Sequence, residues 1–321
     1  MRISWYRLSS GKLVLQPRPT GWPAGDAINL GESWFDIQEA NAEELRQFLA
    51  PLDLHPLQLA RCLDSVDDPG ILSFGKSVLM EYPAAFDQQS AERAYLTILL
   101  RSPALITARH GPVPALDELV KSLMEDKATP VTHLAQLLYL ILDQFADLNV
   151  EAQINIREQI LHLAQSIMEK PEAVNAGALS RVRWQVENLV SLVEDQLYCI
   201  SSLNASDNEA LLDPHQKAFI QDLASEMEIA QRGVYRLEAR VNDLHSDYQM
   251  AGNDRVERRL RLLTIVSAIT LPLGLIAGLL GMNVGGLPGI GLPAGFIIVV
   301  VLMVLIVALE YWYFRRKGWF D

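Results

Sequence analysis

The sequence predicts an α+β membrane protein: an N-terminal α/β domain, a long helical stalk and two C-terminal transmembrane helices. Three observations carry that prediction. Forty-eight consecutive residues, Leu262 to Leu309, contain no charged side chain and no histidine. Strand signals are confined to the segment before about residue 110. From Pro214 to the apolar block, no firm helix stop interrupts the chain. About 20 apolar residues cross the roughly 30 Å hydrocarbon core of a bilayer as a helix. The block is therefore too long for one span and suits two joined by a tight connection.

Residues 1–111 read as the α/β domain. Short apolar runs at Ile3–Leu8, Leu13–Gln16, Trp34–Ile37, Ile71–Phe74, Val78–Tyr82, Tyr95–Leu100 and Ala104–Ala108 predict strands. Turn signals such as Asp68-Pro69-Gly70 and Arg101-Ser102-Pro103 separate them. Asn41–Leu52 and His55–Leu63 read as short helices, the first opened by Asn41 with Glu44 three residues on, a capping-box pattern. Residues 112–212 form a helical region with stretches at Val113–Lys127, Val131–Lys170 and Gly177–Leu203. The stalk at 213–259 runs into the first transmembrane helix at 260–283. Only Gly233 and Ala251-Gly252-Asn253 interrupt the pattern, so Pro214–Leu280 is predicted as one helix. At 1.5 Å per residue it would be roughly 100 Å long, and a helix of that length needs a bundle or an oligomer around it. A loop at 284–293, a second transmembrane helix at 294–314 and a basic tail at 315–321 complete the chain.

Composition narrows the function. Formal net charge is −12 over 321 residues, and the basic residues gathered around the spans leave the remainder more acidic still. Nucleic acid is not an expected partner, because its phosphates need a positive surface. The acidity suits either a body that concentrates cations near a membrane mouth or a solubilising surface. Cys62 and Cys199 make no CxxC pair, which fits a reducing compartment. The six histidines show no structural-zinc spacing, and no signal-peptide run opens the chain. Phosphate-loop, nucleophile-elbow and HExxH strings do not occur, so neither an enzyme nor a cofactor is expected.

Topology follows from the flanks of the spans. Arg255, Arg258, Arg259 and Arg261 precede the first, Arg315, Arg316 and Lys317 follow the second, and the connecting loop is uncharged. By the positive-inside rule both termini are cytoplasmic, with Tyr311, Trp312, Tyr313 and Trp319 as an aromatic belt at the inner interface. Two spans of one chain cannot enclose a pore and satisfy their backbones against lipid, so any conduit needs several copies. In the first span Thr264, Ser267 and Thr270, extended by Gly274, Gly278 and Gly281, recur at helical spacing. They serve either helix–helix packing or a conduit lined by Thr264, Ser267, Leu271 and Gly274. Pro272 permits a kink. At the outer end comes Gly281-Met282-Asn283. A ring of Asn283 carbonyl oxygens from several copies suits a hydrated or partly dehydrated cation, while asparagine is equally favoured as a helix C-cap. Asp243, Asp247, Asp254 and Glu257 are spaced 4, 7 and 3 apart and so fall near one helical face. In a parallel oligomer they form carboxylate rings; otherwise they are a solvated face, which Arg261 continues.

Leu263-Thr264, Pro272-Leu273, Ile276-Ala277-Gly278 and Gly281-Met282-Asn283, followed by a second span and the tail Arg315-Arg316-Lys317, resemble the signature of the CorA-type divalent-cation transporters. Upstream, Trp34-Phe35-Asp36-Ile37 and Leu54-His55-Pro56-Leu57 look like that family's N-terminal domain, and Leu179–Leu203 like its central helices. The resemblance implies a homopentamer with an α/β cytoplasmic domain, a stalk helix continuous with the pore helix, and a second span outside it. Gly281, Met282 and Asn283 would be the selectivity filter, with Asn283 receiving the transported cation. Asp64, Asp67 and Asp68 then stand either as a regulatory cation site between subunits or as a polar turn.

One departure points to a branch. Magnesium-type members usually follow the tripeptide with a loop containing Met-Pro-Glu-Leu, whereas this loop is Val284-Gly285-Gly286-Leu287-Pro288-Gly289, with no acid before Glu310. That string is similar to the ZntB-like zinc branch. The expected function is transport of divalent cations, zinc first, in the bacterial inner membrane with lipid around the spans. Magnesium, cobalt or nickel as cargo is the alternative within the family. A membrane-tethered cytoplasmic scaffold or sensor without transport is the alternative outside it.

Overall fold

The computed structural model describes residues 2–9, 11–17, 31–64, 68–86, 93–125, 130–206, 214–282 and 295–319. They fall into two compact units. One comprises Met1–Ser166 with Val174–Leu244, the other Ile167–Ala173 with His245–Asp321.

The first unit is built on a mixed sheet of β1 (Arg2–Ser9), β2 (Lys12–Gln16), β3 (Ser33–Gln38), β4 (Gly70–Phe74), β5 (Ser77–Phe86), β6 (Arg93–Arg101) and β7 (Ala104–His110), in the order β2-β1-β3-β7-β6-β5-β4. Neighbours pair antiparallel except β3 with β7, where Ser33 stands beside Ala104 and Gln38 beside Arg109. Helices α1 (Ala42–Leu49) and α2 (Pro56–Leu63) cover one face. Asn41 caps α1 in the box anticipated from sequence: its side chain accepts the Glu44 N–H and the Glu44 carboxylate accepts the Asn41 N–H. Leu45, Phe48 and Leu49 of α1 and Cys62 of α2 meet Phe35, Ile37, Leu79, Leu99, Ile106 and Ala108 of the sheet. These are alternate strand residues, as a period of two requires.

The other sheet face carries Trp34, Tyr82, Leu96, Ile98 and Leu105, all fully buried or nearly so. Against this side come α3 (Pro114–Met124), α4 (Leu134–Glu169) and α5 (Ala176–Ala205). Arg109 of β7 reaches both Asp36 and Asp117 of α3 at 2.7 Å, and Tyr82 packs on Phe145 of α4. Helix α5 docks on β5 through polar contacts, Gln196 donating to the Pro83 carbonyl and Cys199 to the Glu81 carbonyl. A buried Asn149 of α4 donates to the Gln196 side-chain oxygen.

Helix α6 is continuous from Pro214 to Gly281, 68 residues with Pro272 inside it. Gly233 does not break it. A Cβ at that position would run into the end of the Gln153 side chain of α4, which fills the space the glycine leaves. In the second unit α6 is accompanied by α7 (Gly295–Arg316). Both helices are long and apolar enough to cross a membrane, and their apolar windows are almost wholly exposed.

Candidate functional site

The membrane part of α6 has two unlike sides. Ile265 is buried, and Ile269 and Leu273 border a cleft with Met303, Val304, Val307, Ala308 and Tyr311 of α7. At about 100° per residue, Thr264, Ser267, Leu271 and Gly274 lie within an arc of about 80°, roughly opposite Ile269 and Leu273. All four are exposed, Leu271 at 70%. Among the described residues, a Cβ added at Gly274, Gly278 or Gly281 would touch nothing within 4 Å. The second helix of the same chain thus leaves this small-residue face uncovered.

The hydroxyls on this helix have a defined orientation. Thr264 Oγ1 donates to the Leu260 carbonyl and Thr270 Oγ1 to the Val266 carbonyl, each at 2.8 Å. With the proton held by the backbone, Thr264 turns oxygen lone pairs outward, the right polarity for a cation or its hydration water. Thr264 stands at the margin of the arc and also borders a recess with Glu257, Leu260, Arg261, Lys317 and Trp319.

At the C-terminal end of the helix, Gly281 closes α6 and the exposed Met282 donates its N–H to the Leu279 carbonyl at 3.4 Å. Asn283 and the loop that follows lie outside the described residues. Met282 therefore continues the helical turn at the end of the span.

Asp243, Asp247, Asp254 and Glu257 are all exposed on α6. Glu257 pairs with Arg261 at 2.7 Å, so the carboxylate nearest the apolar block is already balanced within one chain. Among the described residues no group of three or more His, Cys, Asp or Glu side chains is placed to hold a metal ion. Carboxylates from several copies would have to combine to do so. Of the Asp64, Asp67 and Asp68 cluster, Asp67 lies outside the described residues, while Arg61 donates to the Asp68 carbonyl.

Aromatic and basic side chains gather at the C-terminal end of α7. Arg316 lies over Trp312 at 5.4 Å and Lys317 over Tyr313 at 6.0 Å, and Phe314 is buried against Tyr313 and Trp319. Sequence reasoning did not find a second acidic patch, Asp143 and Asp147 of α4 near Asp222 and Glu226 of α6. Burial first, then mutual repulsion, pushes the Asp143 and Glu226 carboxyls up from their ordinary values. The i, i+4 spacing of each pair was visible in the sequence, but not that the two helices meet there.

Comparison with known proteins follows the same outline. The family model described as CorA-like Mg2+ transporter protein matches residues 30–316. A protein called "Zinc transport protein ZntB" in Pectobacterium carotovorum subsp. carotovorum (strain PC1) is 25% identical over 289 residues, covering 89% of this chain and 83% of that one. The complete CorA magnesium transporter structure from Methanocaldococcus jannaschii superposes with a TM-score of 0.82 at 18% identity over 99% of both chains. The ZntB cytoplasmic domain from Vibrio parahaemolyticus RIMD 2210633 gives 0.61 at 15% identity, over 78% of this chain and 98% of that domain. At such identities the structures speak for the fold. The family model covers most of the chain, so this protein belongs to the CorA-like family of divalent-cation transporters and is not an enzyme.

Proposed function

We propose that the protein carries divalent cations, zinc first, through the central pore of a homopentamer in the bacterial inner membrane, with both termini cytoplasmic. Asn283 forms the outer ring of oxygens, shaped by Gly281 and Met282, and Thr264, Ser267, Leu271 and Gly274 line the conduit below it. The single observation that supports this reading most is the uncovered arc of α6, opposite its contact with α7 and edged by outward hydroxyl lone pairs. A single-copy tether surrounded only by lipid would have no need of glycine at Gly274 and Gly278. Zinc is favoured by the relatives named ZntB and by a loop without a carboxylate. Selection between metals rests on ligand type and geometry more than on raw affinity. Magnesium is the second reading, favoured by the description of the matching family.

Flux into proteoliposomes, measured side by side for zinc, magnesium, cobalt and nickel, is the test. Wild type should move zinc fastest, and Asn283→Ala should lose most of the flux while still assembling. An assembled Asn283→Ala variant that transports at the wild-type rate would overturn the filter assignment. Magnesium outrunning zinc would transfer the reading to the magnesium branch. In the same assay Gly286→Glu, which adds one negative charge per copy beside the filter, should raise magnesium uptake relative to zinc. No change would show that the uncharged loop does not set the preference.

A further inference from the structure

Glu81 of β5 is a carboxylic acid placed where a carboxylate has almost nothing to hold it. Its residue is 2% exposed. It stands between Gly70 of β4 and Thr97 of β6 in the sheet register, on the face covered by α2. Thr97 Oγ1 donates to Oε2 at 2.8 Å, whereas Oε1 is buried with no hydrogen-bond partner. Glu81 also sits where several elements meet. Its own carbonyl receives the Cys199 thiol of α5. On α2, Gln58 ties the helix down by donating to the Leu72 and Ser77 carbonyls of β4 and β5.

The charged and titratable groups around it are few. From α2 come Arg61, which favours the carboxylate, and the buried Cys62. Arg61 is also engaged with the Asp68 carbonyl just before β4. From β6 there is only the Thr97 hydroxyl. From α5 there is Cys199, itself influenced by Asp195 and Asp68. Burial outweighs the help of Thr97 and Arg61 and pushes the Glu81 carboxyl up to about 7.

We propose that Glu81 is a pH-sensitive latch in the α/β domain: protonated, it lets α2 seat on β4–β5; ionised, it loosens that seat. The neutral acid costs far less to bury than the charged form, and the carboxylate leaves an unpaired charged oxygen under the helix. The proton is held in the closed form and released on opening. With the closed value raised above the ordinary 4.5 to about 7, the seat is tightest below about pH 4.5. It weakens as pH rises through that interval and is level above about 7. Acidification of the surrounding compartment from neutrality therefore tightens the domain.

Hydrogen exchange of the α2 amides, in the full-length protein in detergent and corrected for intrinsic pH dependence, reads this directly. In wild type the opening of Pro56–Leu63 should rise by up to about tenfold per pH unit between pH 5 and 7. In Glu81→Gln, which keeps an acceptor for Thr97 but cannot ionise, it should be flat. His55, whose Nδ1 accepts the Leu57 N–H at the start of α2, is present in both proteins, so its contribution cancels. The same slope in both proteins, or no slope in wild type, would overturn the latch. Should Glu81→Gln not fold, Thr97→Val serves instead. It removes the one hydrogen bond that favours the carboxylate, so the transition should move to higher pH, whereas a merely structural loss would speed opening equally at every pH.

Discussion

Arg109 carries its charge into the sheet with 5% of its side chain exposed, facing Asp36 at 1%. Its Nε and Nη2 hold both Asp36 oxygens at 3.0 and 2.7 Å, and Nη1 reaches Asp117 at 2.7 Å. Thr107 donates to Asp36 and receives the Trp34 indole N–H, so both Asp36 oxygens and the Thr107 hydroxyl are engaged. Breaking such a pair from one side leaves a buried charge uncompensated. Arg109→Met should cost about 3–5 kcal/mol, read by thermal or denaturant unfolding, and Asp36→Asn in the same chain should recover part of it. Asp36 was legible as an anomaly, a carboxylate inside the apolar run Trp34-Phe35-Asp36-Ile37. Its partner was not, because Arg109 lies 73 residues away and no local pattern links the two. Gly233 and Gln153 form a second such pair. Gly233→Ala gains about 1 kcal/mol of helix propensity but displaces the buried Gln153 amide. The substitution should be close to neutral in wild type and stabilising by about 1 kcal/mol in a Gln153→Ala background. Equal effects in the two backgrounds would mean that the Gln153 side chain gives way without cost.

Among the elements, α6 answers to two kinds of surroundings along one uninterrupted ladder. Its upper part buries Ile220, Leu223, Met227, Val234, Leu237, Val241 and Leu244 at helical spacing, so that part is anchored in the first unit. Beyond His245 the burial pattern lapses and charged residues take over. If Asp243, Asp247, Asp254 and Glu257 of several copies face one axis, like charges crowd together, and a divalent cation relieves the repulsion. Zinc or magnesium should then protect the assembled protein against thermal unfolding or proteolysis, and Asp247→Asn with Asp254→Asn should remove most of that protection. Equal protection in both proteins would identify the stripe as a solvated face. Element positions were readable because each signal is local: the Asn41 cap, the alternating strands and the missing helix stop. Pairing was not. The parallel β3–β7 contact and the Arg93–Asp195 ion pair, 102 residues apart, arise only once the sheet is assembled.

At the scale of the whole molecule, what one chain leaves uncovered is as informative as what it packs. Leu271 and Leu275 stand open at 70% and 60%, beside glycines with no neighbour within 4 Å. Lipid would accept the leucines, but it gives no reason for a row of glycines, which lets another helix or a conduit come close. Those two uses were indistinguishable in the sequence, and the uncovered arc is compatible with both. Gly278→Leu separates them, because a Cβ there meets nothing within 4 Å among the described residues of its own chain. If the face lines the conduit, the variant should assemble at about five times the 35.8 kDa protomer mass and carry little metal. If the face packs copies together, the particle mass in detergent should fall toward one protomer, with flux lost as a consequence. An assembled variant with unchanged zinc flux would place Gly278 against lipid and remove the central-pore reading of this side of α6. Mass and flux must be measured on the same preparation, since flux alone falls in both of the first two cases.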